Sequence, residues 1–248
     1  MSPYTKNAIR IQYASGLARG LKAGSAAADL LRPVAPYLAL CGNIIHPRSP
    51  AAVPFFRWVS RNYDVVWWVP GHEEVNSAGK LPGGRFEYGV TDNLTAMYGL
   101  VQGEGLTNVH IANKLAKNYR DKESGLGFSV GGISLPHVCE RNLDGVYYNT
   151  GKPFTFADLE FYRTKDQQWL EREMYAHKSL NAAYEKKEPL VIMTDGYFHT
   201  YQSYSVYLMG DSRVNMTGFT HDRESKAWFG VNNYGVEGYE ADKFVELV

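Results

Sequence analysis

Short apolar runs recur along the whole chain, and they constrain its fold more than any other feature. The runs at 37–41 (YLALC), 65–69 (VVWWV) and 189–194 (PLVIMT) are continuous, whereas the run at 9–14 (IRIQYA) alternates apolar with polar residues. Continuous runs of this length are typical of strands buried on both faces of a sheet, and alternation is typical of a strand with one buried face. The sequence therefore predicts a sheet whose strands are spread through the chain.

Segments of helical composition separate these runs. Residues 51–63 follow Ser49, a capping residue, and a proline suited to a first helical turn. Residues 155–187 are rich in Leu, Glu, Lys, Gln and Arg and predict one or two helices, with Trp169 and Leu170 as core contacts. Strands alternating with helices predict an α/β fold with right-handed crossovers.

The same pattern indicates one domain. A short helix is predicted at 29–31, and short strands and turns at 205–248. The sequence shows no linker, internal repeat or low-complexity segment, so we predict a single domain over 1–248.

Charge and composition exclude several classes of protein. The 26 Lys and Arg balance 26 Asp and Glu, so bulk electrostatic binding of nucleic acid is not expected. No window approaches the roughly 18 apolar residues of a membrane helix, and residues 1–10 lack the apolar core of a signal peptide. Two cysteines, Cys41 and Cys139, cannot build a disulfide framework. We therefore expect an intracellular protein, in the cytoplasm or within an assembled particle.

Functional residues of an open α/β fold tend to lie in the loops that leave the carboxyl ends of its strands. Five such segments follow the apolar runs, namely 15–18 (SGLA), 42–46 (GNIIH), 70–74 (PGHEE), 194–196 (TDG) and 218–222 (GFTHD). In this order and spacing they resemble the five motif blocks of the calcineurin-like metallophosphoesterases. The resemblance spans about residues 8–240, with further echoes at 128–132, 166–170 and 231–235.

The resemblance implies both a fold and a chemistry. The implied fold is a four-layer α/β sandwich, in which helices flank two central mixed β-sheets. Members of this family use Asp and His side chains to hold two adjacent divalent metals, which orient a phosphate and generate a hydroxide nucleophile. Lowering the pKa of a bound water from 15.7 to about 7 is worth about 12 kcal/mol, so catalysis depends on these ligands.

Most ligand positions implied by the resemblance are substituted in this chain. The degenerate positions are Gly16, Ala18, Asn43, His72, Glu73, Asp195, Phe219 and His221. His221 alone keeps the ligand type of the family. Glycine, alanine and phenylalanine supply no ligand, and an amide at 43 cannot replace a bridging carboxylate. We therefore expect no catalytic residue and no resident metal.

This pattern predicts a catalytically inactive metallophosphoesterase-like protein, a pseudoenzyme that serves as a structural or protein-interaction module. Candidate settings are a multi-subunit complex and a virus particle, and a protein partner is expected. The 18 Tyr, 11 Phe and 5 Trp agree with association, because aromatic residues are enriched at interface centres as well as in cores.

Two alternative interpretations stay open. In the first, the chain is an active phosphoesterase with a rebuilt single-metal site, in which His72, Asp195 and His221 are ligands and a nearby glutamate is the base. In the second, the cleft binds a phosphorylated ligand without metal. Glu73, Glu74 and His199 could join the cluster. His46 could join it too, but as a residue beside a proline it is predicted to be a surface histidine.

Overall fold

The computed structural model describes residues 8–76, 88–134, 145–183, 188–195, 206–210, 227–235 and 237–247. The strands in these ranges are β1 Ile9–Ala14, β2 Tyr37–Cys41, β3 Val65–Val69, β4 Val109–Ile111, β5 Leu115–Arg120, β6 Gly127–Ile133, β7 Leu190–Thr194, β8 Val206–Gly210, β9 Ala227–Val231 and β10 Phe244–Leu247. The helices are α1 Ala18–Lys22, α2 Ala27–Leu30, α3 Ala52–Asn62, α4 His72–Val75, α5 Val90–Gly103 and α6 Phe156–Ala183.

The first sheet has the order β10–β1–β2–β3–β4. Strands β1 to β4 are parallel, and β10 pairs antiparallel with β1 in a register that places Ile9 opposite Leu247. Because β1, β2 and β3 run in one direction, their carboxyl ends lie at the same edge of this sheet.

The second sheet has the order β5–β6–β7–β8–β9. Strand β5 is antiparallel to β6, and β6 to β9 are parallel. Both sheets are therefore mixed, as the family resemblance implies.

The two sheets face each other across an aromatic core. The ring centroids of Trp67 from β3 and Tyr37 from β2 lie 5.8 Å apart, and Phe128 from β6 lies 5.3 Å from Tyr37. The indole Nε1 of Trp67 donates a hydrogen bond of 2.9 Å to the hydroxyl of Tyr119 on β5. This polar contact pairs the one N–H of a fully buried indole and joins the two sheets.

Helices cover the outer faces of both sheets. On the first sheet, Phe56 of α3 packs against Trp68 of β3 with ring centroids 4.1 Å apart. On the second sheet, Leu170 and Met174 of α6 are buried, and Leu170 lies over Gly131 of β6. Helices, two mixed sheets and a further helix thus form four layers, which confirms the predicted fold class.

The predicted elements are largely confirmed, with shifted bounds. The segment 155–187 contains one long helix, α6, in which Leu170 is buried and Trp169 half-buried. The alternating sequence of β1 predicts one exposed face, but every residue of this strand except Arg10 is buried. Helices pack on one face of β1 and the second sheet on the other, so the polar Gln12 is buried too. Its amide donates to the carbonyl oxygens of Arg32 and Ala241. No helix among the described residues is both long and apolar enough to cross a membrane.

Candidate functional site

Four of the predicted site segments meet at one edge of the first sheet. The Gly16 N–H donates to the carbonyl of Gly42 at 3.2 Å, and the Ala18 N–H donates to the carbonyl of Asn43 at 3.1 Å. A Cβ placed on Gly42 would lie 2.4 Å from the Cβ of Asp195, which follows β7 in the second sheet. We call residues 15–18, 42–46, 70–76 and Asp195 the loop edge.

The side-chain space at position 16 is filled by another residue. Gly16 has a φ of +67°, and a Cβ there would lie 2.3 Å from Oδ1 of Asn233. Asn233 is buried, and the same oxygen accepts a 2.7 Å hydrogen bond from the Gly235 N–H. The amide of Asn233 thus lies where a side chain at position 16 would begin.

Asn43 holds the next loop in place. Its φ of +57° is in the left-handed region, which asparagine tolerates better than most residues. Its Oδ1 accepts a 2.9 Å hydrogen bond from the Glu73 N–H in the first turn of α4. Asn43 stands where the family resemblance implies a metal ligand. Its side-chain oxygen instead accepts from a backbone N–H at the start of α4.

Glu74 is the buried centre of the loop edge. Oε1 accepts from the N–H groups of Ile44 and Ile45 at 2.7 and 3.1 Å and from the indole of Trp68 at 3.2 Å. Oε2 accepts from the N–H groups of Asn43 at 3.0 Å and Gly71 at 2.8 Å. Burial raises the pKa of Glu74, and the hydrogen bonds from the backbone and the indole act in the opposite direction. A carboxylate enclosed by five donors organises the loop and is not available as a general base.

The other candidate ligands have partners of their own. Glu73 forms an ion pair with Lys22 of α1. Asp195 is half-buried, and its Oδ1 accepts a 3.1 Å hydrogen bond from the Ser134 hydroxyl. His72 is half-buried at the start of α4. Phe219, His221 and His199 lie outside the described residues.

These side chains do not fit the two-metal centre that the resemblance implies. Gly16 and Ala18 carry no donor atom, and the Asn43 oxygen accepts from a backbone N–H. Within the described ranges, no group of three or more His, Cys, Asp or Glu side chains could hold a metal ion. Hard divalent ions prefer carboxylates and imidazoles, so this set of donors is poor.

The prediction that His46 is a surface histidine is wrong. His46 is buried, and its Nε2 donates to the carbonyl of Asn76 at 3.1 Å. Its Nδ1 accepts a 3.2 Å hydrogen bond from the Arg48 N–H. These partners require the neutral ring with its proton on Nε2. The imidazole links the residues after β2 to the end of α4. The neighbouring proline in the sequence gives no sign of this contact.

Acidification is expected to destabilise the fold through its histidines. Burial lowers the pKa of His46, His110 and His177 below the usual value. The unfolded chain therefore binds more protons than the folded chain in the window below about pH 6.5, and stability is lost as the pH falls through it. We expect Tm to fall between pH 7.5 and 5.5 in a thermal scan, and to fall less in His46→Gln. Equal slopes in the two proteins would contradict this role of His46.

Comparisons with known proteins give one similar structure. No protein-family model matches the chain, and no curated protein matches it. The crystal structure of the phosphopantetheinyl hydrolase PptH from Mycobacterium tuberculosis is similar, with a TM-score of 0.43 and 18% sequence identity. The similar region covers 77% of this chain and 69% of that chain.

The sequence places Glu74 and Asn233 in two of the predicted segments, 70–74 and 231–235, but it does not reveal the contacts that these two residues make. Glu74 lies three residues after Gly71 and accepts its N–H, which is half of a capping box, and that spacing is visible in the sequence. Asn233 belongs to an Asn-Asn-Tyr-Gly segment that is typical of a turn. No sequence signal connects this turn to Gly16, because the contact joins residues more than 200 positions apart.

Proposed function

We propose that this chain is a catalytically inactive relative of the calcineurin-like metallophosphoesterases that serves as a structural or protein-interaction module. The observation that carries the proposal is the occupation of the loop edge by internal contacts. Asn233 fills the side-chain space of Gly16, Asn43 caps α4, and five donors enclose Glu74. A component of a multi-subunit complex or of a virus particle is a role of this kind.

Internal contacts of this type stabilise the fold but do not leave the side chains that make them open to a metal or a substrate. A hydrolytic centre needs ligands that are open to a metal and to substrate. Here the equivalent groups stabilise the loops that hold them. The loops at the strand ends therefore keep their structure, and that structure serves a structural or binding role instead of catalysis.

Metal content and turnover test the proposal directly. The chain is purified with Mn²⁺ or Zn²⁺, bound metal is measured by mass spectrometry, and hydrolysis of bis(p-nitrophenyl) phosphate is followed. We expect metal well below one ion per chain, and turnover equal to that of a His72→Ala, Asp195→Asn variant. His110→Ala, which lies on β4, is the matched control.

Two results would contradict the proposal, each in favour of one alternative. One ion per chain, with turnover that disappears in His221→Ala and in Asp195→Asn, would show a rebuilt single-metal site. That site is the strongest competitor, because Asp195 and Gly71 both pack against Gly42, which brings Asp195 and the His72 loop to one edge. A rise in Tm with nucleotides in the absence of metal would show a binder of phosphorylated ligands.

A further inference from the structure

Helix α6 carries large aromatic side chains on its solvent side. Phe161 and Tyr175 are 57% and 62% exposed, and Phe156 and Tyr162 are each 44% exposed. A surface helix usually presents polar residues to solvent and apolar residues to the core. Exposed aromatic residues grouped on one element indicate an interaction surface.

The exposed residues follow the spacing of a helix contact. Phe161, Lys165, Gln168, Arg172 and Tyr175 are all exposed and are spaced by four, three, four and three positions. This spacing places them on one stripe, with Phe161 and Tyr175 about 21 Å apart along the axis. We call these five residues the outer stripe.

Contacts on the opposite side fix the orientation of the outer stripe. Leu159, Leu170 and Met174 are buried beneath the helix. Asp166, also on the inner side, pairs with Lys114 at 3.0 Å in the turn between β4 and β5. The helix cannot turn its aromatic residues inwards without breaking these contacts.

The charge of the outer stripe selects the chemistry of its partner. Both of its charged residues, Lys165 and Arg172, are cations, and none of its five positions carries a carboxylate. The Lys165 ammonium lies 5.7 Å from the centroid of the Phe161 ring. Arg172 Nε lies 3.7 Å from Oε1 of Glu173, and the Arg172 side chain is 71% exposed, so this ion pair is weak and open to exchange.

A second copy of the chain fits this surface poorly. An antiparallel pairing centred on Gln168 would bring Phe161 opposite Tyr175 of the other copy. The same pairing would place Lys165 beside Arg172 of the other copy on one flank of the contact. Like charges held close together at an interface oppose association.

We propose that the outer stripe binds an acidic amphipathic helix of a partner protein. Apolar side chains of the partner contact the rings of Phe161 and Tyr175, and its carboxylates pair with Lys165 and Arg172. The proposal rests on the proposed function as an interaction module and adds the surface and the partner's chemistry. Aromatic residues and arginine are the usual anchors of such contacts.

Designed peptides provide the test. A 21-residue helical peptide with leucines at seven-residue spacing and flanking glutamates is compared with the same peptide carrying lysines, by fluorescence anisotropy with the full chain. We expect the acidic peptide to bind with a micromolar Kd and the basic peptide to bind at least about tenfold more weakly. Phe161→Ser is expected to weaken the acidic peptide about tenfold. Tyr98→Ser, which changes an exposed ring on α5, is expected to leave its Kd unchanged.

Charge reversal separates a docking role from a loss of folding. A Lys165→Glu, Arg172→Glu variant is expected to lose the acidic peptide and to gain the basic one, which an unfolded chain would not do. Equal binding of both peptides, or binding of neither, would overturn the proposal. So would dimers of the free chain that Phe161→Ser dissociates, or binding of oligouridine that depends on the same residues. None of these results measures metal binding or phosphoesterase turnover. The proposed loss of catalysis is tested separately by those two measurements.

Discussion

Replacement of Glu74 by glutamine is expected to lower the free energy of unfolding by about 3–5 kcal/mol. The glutamine amide would put an NH₂ group where one carboxylate oxygen now accepts from N–H donors, so at least two buried donors would face another donor. Each donor left without a partner costs about 1–3 kcal/mol. Denaturation in urea, followed by circular dichroism, measures the loss.

The neighbouring glutamate is a matched control. Glu73 pairs with Lys22, whose side chain is 60% exposed. The Glu73 side chain itself is 17% exposed, so the pair is only partly open to solvent. Glu73→Gln keeps the shape of the side chain and is expected to cost about 1 kcal/mol, less than Glu74→Gln. If the two variants unfolded at the same urea concentration, Glu74 could not be the centre of the loop edge.

Substitution of Gly16 is expected to destabilise the fold instead of rebuilding a metal ligand. Gly16→Asp restores the residue type that the family resemblance implies, but its Cβ would lie 2.3 Å from Oδ1 of Asn233. The positive φ and the clash each cost on the order of 1–3 kcal/mol. We expect a loss of about 2–5 kcal/mol in urea denaturation and no bound Mn²⁺.

Gly105 separates the effect of the backbone from that of the clash. Its φ of +64° nearly equals the +67° of Gly16, and a Cβ there would meet nothing within 4 Å. Gly105→Ala is expected to cost about 1 kcal/mol, which is the backbone share alone. Gly16→Ala should cost more, and Asn233→Ala should recover part of the difference. An equal loss of unfolding free energy at the two glycines would show that Asn233 moves aside without an energetic cost.

The strands and helices could be predicted from the sequence because their signals are local, whereas the arrangement of two sheets came from the family resemblance. The buried runs of β2, β3 and β7 are continuous and apolar, and α6 has the composition of a long helix. Each signal depends on neighbouring residues that share one environment. The burial of β1 could not be predicted, because its alternating pattern does not reveal that layers cover both of its faces.

The candidate site could be located from the sequence, but its contacts could not be derived. Strand ends and motif spacing led to the Gly16, Asn43 and Asp195 segments, which the structure brings together. The burial of Glu74 and His46 depends on three loops packing at once. A polar residue in a loop gives no sign of this, since surface and buried polar residues have the same sequence context.

The antiparallel pairing of β1 with β10 has a consequence for folding during synthesis. Ile9 pairs with Leu247, so one edge of β1 lacks its partner strand until a segment 238 residues later has been synthesised. At about 5–20 residues per second, the ribosome needs roughly 10–50 s to deliver that strand. Until then the open edge of β1 is a template for pairing with other chains, and β10 closes it. One edge of β1 therefore lacks its partner strand for the whole of this interval.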